Sequence, residues 1–67
     1  MEKFIERLKE LRLAKKFTLV QLAKETGISK STLSSWETGE RVPSALAIIT
    51  LAKFFGVTAD YLLGLDD

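Results

Sequence analysis

Apolar residues return along this chain at three- and four-residue intervals, the spacing of one helix face, in five separate stretches. Phe4, Ile5, Leu8 and Leu11 make the apolar stripe of a first helix over about Glu2 to Lys15. Thr18 is a good N-cap for a second helix that carries Leu22 and Ala23 on one face and ends near Glu25. Ser29 opens a third, with Leu33 and Trp36 turned inward, which ends at about Thr38, where Gly39 is free to take the left-handed cap conformation. After the loop GERVP, a fourth helix is expected from near Ser44, just past Pro43, to Phe55, with Gly56 as its stop. Its inward stripe is read as Ala45, Ile48, Ile49, Ala52 and Phe55. Thr58 caps a last short helix through Leu63 to Gly64. No alternating strand pattern competes, and no repeat, linker or low-complexity run divides the chain. The expectation is an all-α fold of five helices in one domain over residues 1–67.

The second and third helices lie close together, in QLAKETGISKSTLSSWE at 21–37, and Gly27 between them supplies the positive φ of a tight turn. Two short helices around such a turn are the sequence form of a helix-turn-helix. Lys30, Ser31, Ser34, Ser35 and Thr38 are left on the outer face, a row of short hydrogen-bonding groups with one cation. Four collinear segments then carry a wider resemblance: LKELR at 8–12, Thr18 before LVQLA, GISKSTLSSWETGERVPS at 27–44, and LAKFFGVTADYLLG at 51–64. Together they resemble the phage-repressor/Cro class of helix-turn-helix domains, the XRE family, over nearly everything from Phe4 to Gly64. That resemblance implies a compact lambda-repressor-like fold and a sequence-specific DNA-binding transcriptional regulator.

Composition narrows the alternatives. Sixty-seven residues, 46% hydrophobic and 28% charged, suit one small soluble core. The absence of Cys and His removes disulfides, thiolate metal sites and the commonest acid/base side chain. No Gly-rich phosphate loop or carboxylate pair in an apolar setting is visible, so neither an enzyme nor a cofactor or metal is expected. The N-terminus mixes Glu and Lys with apolar residues, unlike a signal peptide, and no run approaches the roughly 18 apolar residues of a membrane span. The expected compartment is the cytoplasm. Net charge is only +1, but it is unevenly spread: residues 1–41 hold nine Lys or Arg against six Glu, net +3, and residues 42–67 hold Lys53 against Asp60, Asp66 and Asp67, net −2. Many charges of the first helix have the bland reading of a solvated face with pairs at i, i+3 and i+4.

By the resemblance, the third helix lies in the major groove, and Ser29, Lys30, Ser31, Ser34 and Ser35 occupy the base-reading positions. Lys30 can donate to guanine O6 and N7 or reach a phosphate, whereas serine serves several bases and discriminates less. Ser29 is read first as the helix cap and second as a base contact. Phosphates suit helix N-termini. The resemblance implies one phosphate at Thr18 and the backbone N–H of Leu19, another at Thr38 and Arg41, with Lys9 as a further contact. The family usually has Gln where Leu19 stands and frequently Lys or Arg where Glu40 stands. Both departures lower the expected nonspecific affinity.

The family also pairs an Arg at the end of the first helix with a Glu near the end of the recognition helix. Arg12 and Glu37 match those positions, so the pair is expected to fix the third helix and leave Arg12 near a phosphate. Trp36 could stack on a base, but its spacing from Leu33 points it into the core. On the fourth helix Leu46, Thr50 and Phe54 form a second stripe where relatives show polar residues. With Tyr61, Leu62 and Leu65 this surface is a candidate homodimer contact; the alternative is that Phe54 folds over the end of the fifth helix. The leading expectation is a dimeric repressor that acts by occupying double-stranded operator DNA, with an inverted repeat as its site and no small-molecule ligand. A protein-interaction module, such as an antitoxin or antirepressor-like partner, is the alternative from another class.

Overall fold

Hydroxyl side chains start four of the helices, and the chain reverses where their caps allow. The computed structural model describes residues 1–65; Asp66, Asp67 and the end of the proposed 1–67 domain lie outside the described residues. The order is α1 (Glu2–Ala14), α2 (Leu19–Thr26), α3 (Lys30–Glu37), α4 (Ala45–Phe55) and α5 (Ala59–Leu63), with no strand among the described residues. Thr18, Ser29, Ser44 and Thr58 each accept a hydrogen bond from the backbone N–H three residues on, at 3.1, 3.2, 3.1 and 2.9 Å. Each bond satisfies one of the donors that a first turn leaves without an intrahelical partner. At α2 the cap is reciprocal, because Gln21 Oε1 also accepts from the Thr18 N–H at 2.7 Å.

Between α1 and α2 the chain turns through Lys16 at φ 59, the single non-glycine residue with positive φ among those described. Gly64, after α5, has φ 78, and its Cα faces the Lys3 side chain so closely that any Cβ would collide with it. The first and last helices are thereby packed backbone to side chain. Arg7 adds to the same junction: its Nη1 donates to the Tyr61 carbonyl and its guanidinium lies 4.3 Å from the Tyr61 ring centroid.

Every helix sends side chains to one core of Phe4, Leu8, Leu22, Leu33, Trp36, Ile48, Leu51, Ala52 and Leu62. Burial of each large apolar side chain contributes about 1.5–3 kcal/mol. Trp36 is 6% exposed and meets Phe4 edge to face, with centroids 6.3 Å apart and planes at 72°. It therefore packs and does not stack on a ligand.

The inward face of α4 is rotated from the expected one. Ile48, Leu51 and Ala52 are buried, whereas Ala45 is exposed and Ile49 is 46% exposed. Three of the five residues offered for the dimer surface, Phe54, Tyr61 and Leu62 in a set with Leu46 and Leu65, are also differently placed. Leu62 is 0% exposed and belongs to the core, so it cannot form a subunit contact. Tyr61 is half-buried beneath Arg7. Phe54 is half-buried against Phe55 at 5.0 Å and against Phe17 at 6.3 Å, with Lys15 Nζ 5.5 Å from its ring centroid. Phe17 and Lys15 place it over the α1–α2 junction. Leu46 and Leu65 remain open to solvent at 73% each.

Candidate nucleic-acid interface

The approach from α2 to α3 is held by its own short side chains. Thr26 Oγ1 donates to the Leu22 carbonyl at 2.8 Å and accepts from the Ile28 N–H at 3.3 Å. Gly27, at φ 76, turns the chain in the left-handed region that side-chain-bearing residues disfavour. Ser29 then caps α3. Its hydroxyl proton goes to Thr32 Oγ1 at 2.8 Å while its oxygen accepts from the Thr32 N–H, so the cap reading of Ser29 is the one its bonds satisfy.

Lys30, Ser31 and Thr38 are exposed, Thr32 and Ser34 half-buried. Ser35 departs from the expected outward row. It is 8% exposed and its hydroxyl donates back to the Thr32 carbonyl at 2.7 Å, as serine in a helix readily does. It forms the floor of a concavity of about 220 Å³ lined also by Ser31, Thr32, Glu40 and Arg41. Thr32 and Glu40 were not among the expected base-reading residues. Thr32 was legible as the N3 partner of the Ser29 cap, three residues on. Glu40 was not, because only the fold of the loop after α3 brings it beside the helix.

Arg12 supports α3 from behind. Its Nε donates to Glu37 Oε2 at 2.8 Å, Nη2 to Glu37 Oε1 at 3.0 Å and Nη1 to the Phe17 carbonyl at 2.7 Å. The two side chains are 13% and 6% exposed. A two-pronged contact between a planar guanidinium and a carboxylate restrains angle as well as distance. The Glu37 hydrogen bonds, opposed by partial burial and aided by the carboxylate charge, hold the Arg12 guanidinium above its ordinary pKa. This pair joins the end of α1, the start of α2 and the end of α3.

The remaining expected phosphate residues lie on separate elements. Lys9 is exposed on α1, Thr18 is exposed at the N-terminus of α2 with Leu19 half-buried beside it, and Arg41 is exposed after α3. Thr38 donates its hydroxyl to the Ser35 carbonyl at 3.2 Å, which ties it to the C-terminal turn of α3. Among the described residues no group of three or more His, Cys, Asp or Glu is placed to hold a metal ion, and no helix is long and apolar enough to cross a membrane.

Comparison with known proteins bears on the same region. The helix-turn-helix family profile matches residues 8–62. The chain is 39% identical over 64 residues to the uncharacterized HTH-type transcriptional regulator YobD of Bacillus subtilis, covering 96% of this chain and 57% of that protein. It is 45% identical over 60 residues to the HTH-type transcriptional regulator AnsR of Bacillus subtilis, covering 90% and 52%. It is 40% identical over 60 residues to the HTH-type transcriptional activator BcrR of Enterococcus faecalis, covering 90% and 29%. The chain thus spans about half the length, or less, of these curated relatives. No solved structure gives a significant match. A family match that begins inside α1 and ends inside α5 takes in the α2–turn–α3 unit and its supports, and the chain belongs to the helix-turn-helix family of phage-repressor/Cro-like (XRE) type.

Proposed function

We propose that this domain binds double-stranded operator DNA through α3 and regulates transcription, acting as a repressor by occupancy. The observation that carries the reading is the exposed N-terminal turn of α3, with Lys30 and Ser31 outward, on a helix anchored from behind by Arg12 and Glu37. Lys30, Ser31 and Ser34 face base edges, with Ser35 recessed behind them. Lys9, Thr18, the Leu19 N–H, Thr38 and Arg41 contact phosphates on either side. Arg12 serves chiefly as architecture, since each of its three nitrogens already donates within the domain. The curated relatives bear names of transcriptional regulators, one of them an activator, which supports the regulatory role and leaves its sign to experiment.

Pairing is proposed through the exposed Leu46 and Leu65, with the rims of Phe54 and Tyr61, so that two α3 helices meet successive major grooves about 34 Å apart on an inverted repeat. The cytoplasm is the compartment where such a function is exercised. Selection of bound duplexes from a random pool, at low and at physiological salt, tests the reading. An enriched inverted repeat with half-sites about 10 bp apart is expected. No enrichment at either salt overturns it in favour of a protein-interaction module, for which Val42, Leu46 and Ile49, at 70%, 73% and 46% exposure, offer apolar surface.

A further inference from the structure

We infer that Glu40 is a specificity-determining residue, accepting a hydrogen bond from the exocyclic amino group of an adenine or cytosine in the major groove; this rests on the proposed DNA-binding reading. In the concavity beside α3 several hydroxyl protons are already committed within the domain. Ser35 commits its hydroxyl proton to the Thr32 carbonyl at 2.7 Å, and Ser29 commits its own to Thr32 Oγ1 at 2.8 Å. Ser31 Oγ lies 3.4 Å from Ser29 Oγ at the exposed rim, where its hydroxyl is free to rotate toward a ligand as donor or acceptor. The hydroxyl proton of Ser35 is therefore directed inward, and what this side chain presents to a ligand is lone pairs. Glu40, at the edge of the same concavity, adds a carboxylate that only accepts, and it is exposed with no side-chain hydrogen bond among the described residues.

An acceptor-only group such as Glu40 selects by what it rejects. Guanine presents two acceptors, O6 and N7, in the major groove, and thymine presents O4 and a methyl group; neither offers a donor. Adenine N6 and cytosine N4 are the amino donors of that groove, and a carboxylate is a suitable acceptor for either. Thr32 keeps its own hydroxyl proton, while Arg41 is directed to phosphate, so adenine, with acceptor N7 beside donor N6, can engage Thr32 and Glu40 at two points. Glu40 has the opposite effect on the backbone, where its charge repels phosphates. A residue that weakens every site equally does not discriminate; one that also gains a bond at a single base does.

The test is parallel selection from a random duplex pool by the wild-type chain, Glu40→Ala and Glu40→Lys, with far-UV circular dichroism to show that each is folded. Expected are adenine or cytosine at one position per half-site with roughly tenfold preference, loss of that preference alone in Glu40→Ala, and a shift to guanine there in Glu40→Lys. An unchanged site in Glu40→Ala, bound more tightly throughout, would reduce Glu40 to a phosphate repellent and overturn the inference while leaving DNA reading intact. Failure of the wild-type chain to select any site overturns both.

Discussion

Arg12 shows how much of this domain turns on single side chains. Its guanidinium donates to a carboxylate on α3 and a carbonyl at the start of α2, and its own side chain is only 13% exposed. Removing either partner leaves a largely buried charge without compensation, which costs about 3 kcal/mol. Arg12→Ala and Glu37→Ala are each expected to destabilise on that scale, and the double variant by clearly less than their sum. Chemical denaturation of the four proteins in a cycle measures this, and additive losses would make Arg12 an ordinary surface cation. The raised pKa of Arg12 means a folded value above the unfolded one. Its stabilisation is thus fully present below the unfolded value and lost only as pH rises through the folded value, at strongly alkaline pH. A melting curve followed from pH 7 to 10 should owe none of its change to this group. Lys16 is the other residue under constraint, held at φ 59 without the freedom of glycine. Lys16→Gly is expected to raise stability by about 0.5 kcal/mol, the relief of left-handed strain exceeding the added chain entropy, and Lys16→Val to lower it by about 1 kcal/mol. Thermal melting distinguishes the two signs.

At the level of helices, Thr18 holds two hydrogen bonds of a reciprocal cap, and Thr18→Ala should cost about 1 kcal/mol in denaturant unfolding. Thr18→Ser should recover most of it, since the hydroxyl is the group that caps. Such capping residues made the helix boundaries legible from the chain alone: α2, α3, α4 and α5 begin directly after the hydroxyl residues that announce them, and α1 ends one residue before expected. The turn at Gly27 and the pairing of Arg12 with Glu37 were legible for the same reason, a local or family signature in a few letters. The orientation of α4 was not. ALAIITLAKFF is apolar at nine of eleven positions other than Thr50 and Lys53, so periodicity has no phase to report and Leu51 is indistinguishable from Ile49. Only packing against Phe4, Leu22 and Leu62 settles which side is buried. Ser35 illustrates the corresponding limit at the site. The expected outward row included it, but it is buried and its hydroxyl bonds back to the preceding turn.

For the molecule as a whole, extents of 30 × 24 × 20 Å bear on the proposed pairing. Two copies side by side have centres separated by about one such width, close to the roughly 34 Å between successive major grooves on one face of DNA. Sedimentation equilibrium should give a dimer for the wild-type chain, on or off DNA, and a monomer for Leu46→Glu. An identical mass for both would remove Leu46 from the contact. Lys9 and Arg41 are exposed cations assigned to phosphates, so DNA affinity should fall with salt at a logarithmic slope of about −2 per domain. The four hydroxyl caps have a consequence of another kind. Each marks a helix start through a bond only three residues long, so the helix starts are set locally before α1 and α5 meet. Small helical domains with such local connectivity reach the native state in microseconds to milliseconds. Synthesis proceeds at roughly 5–20 residues per second, so the domain is ready to act almost as soon as its last helix leaves the ribosome.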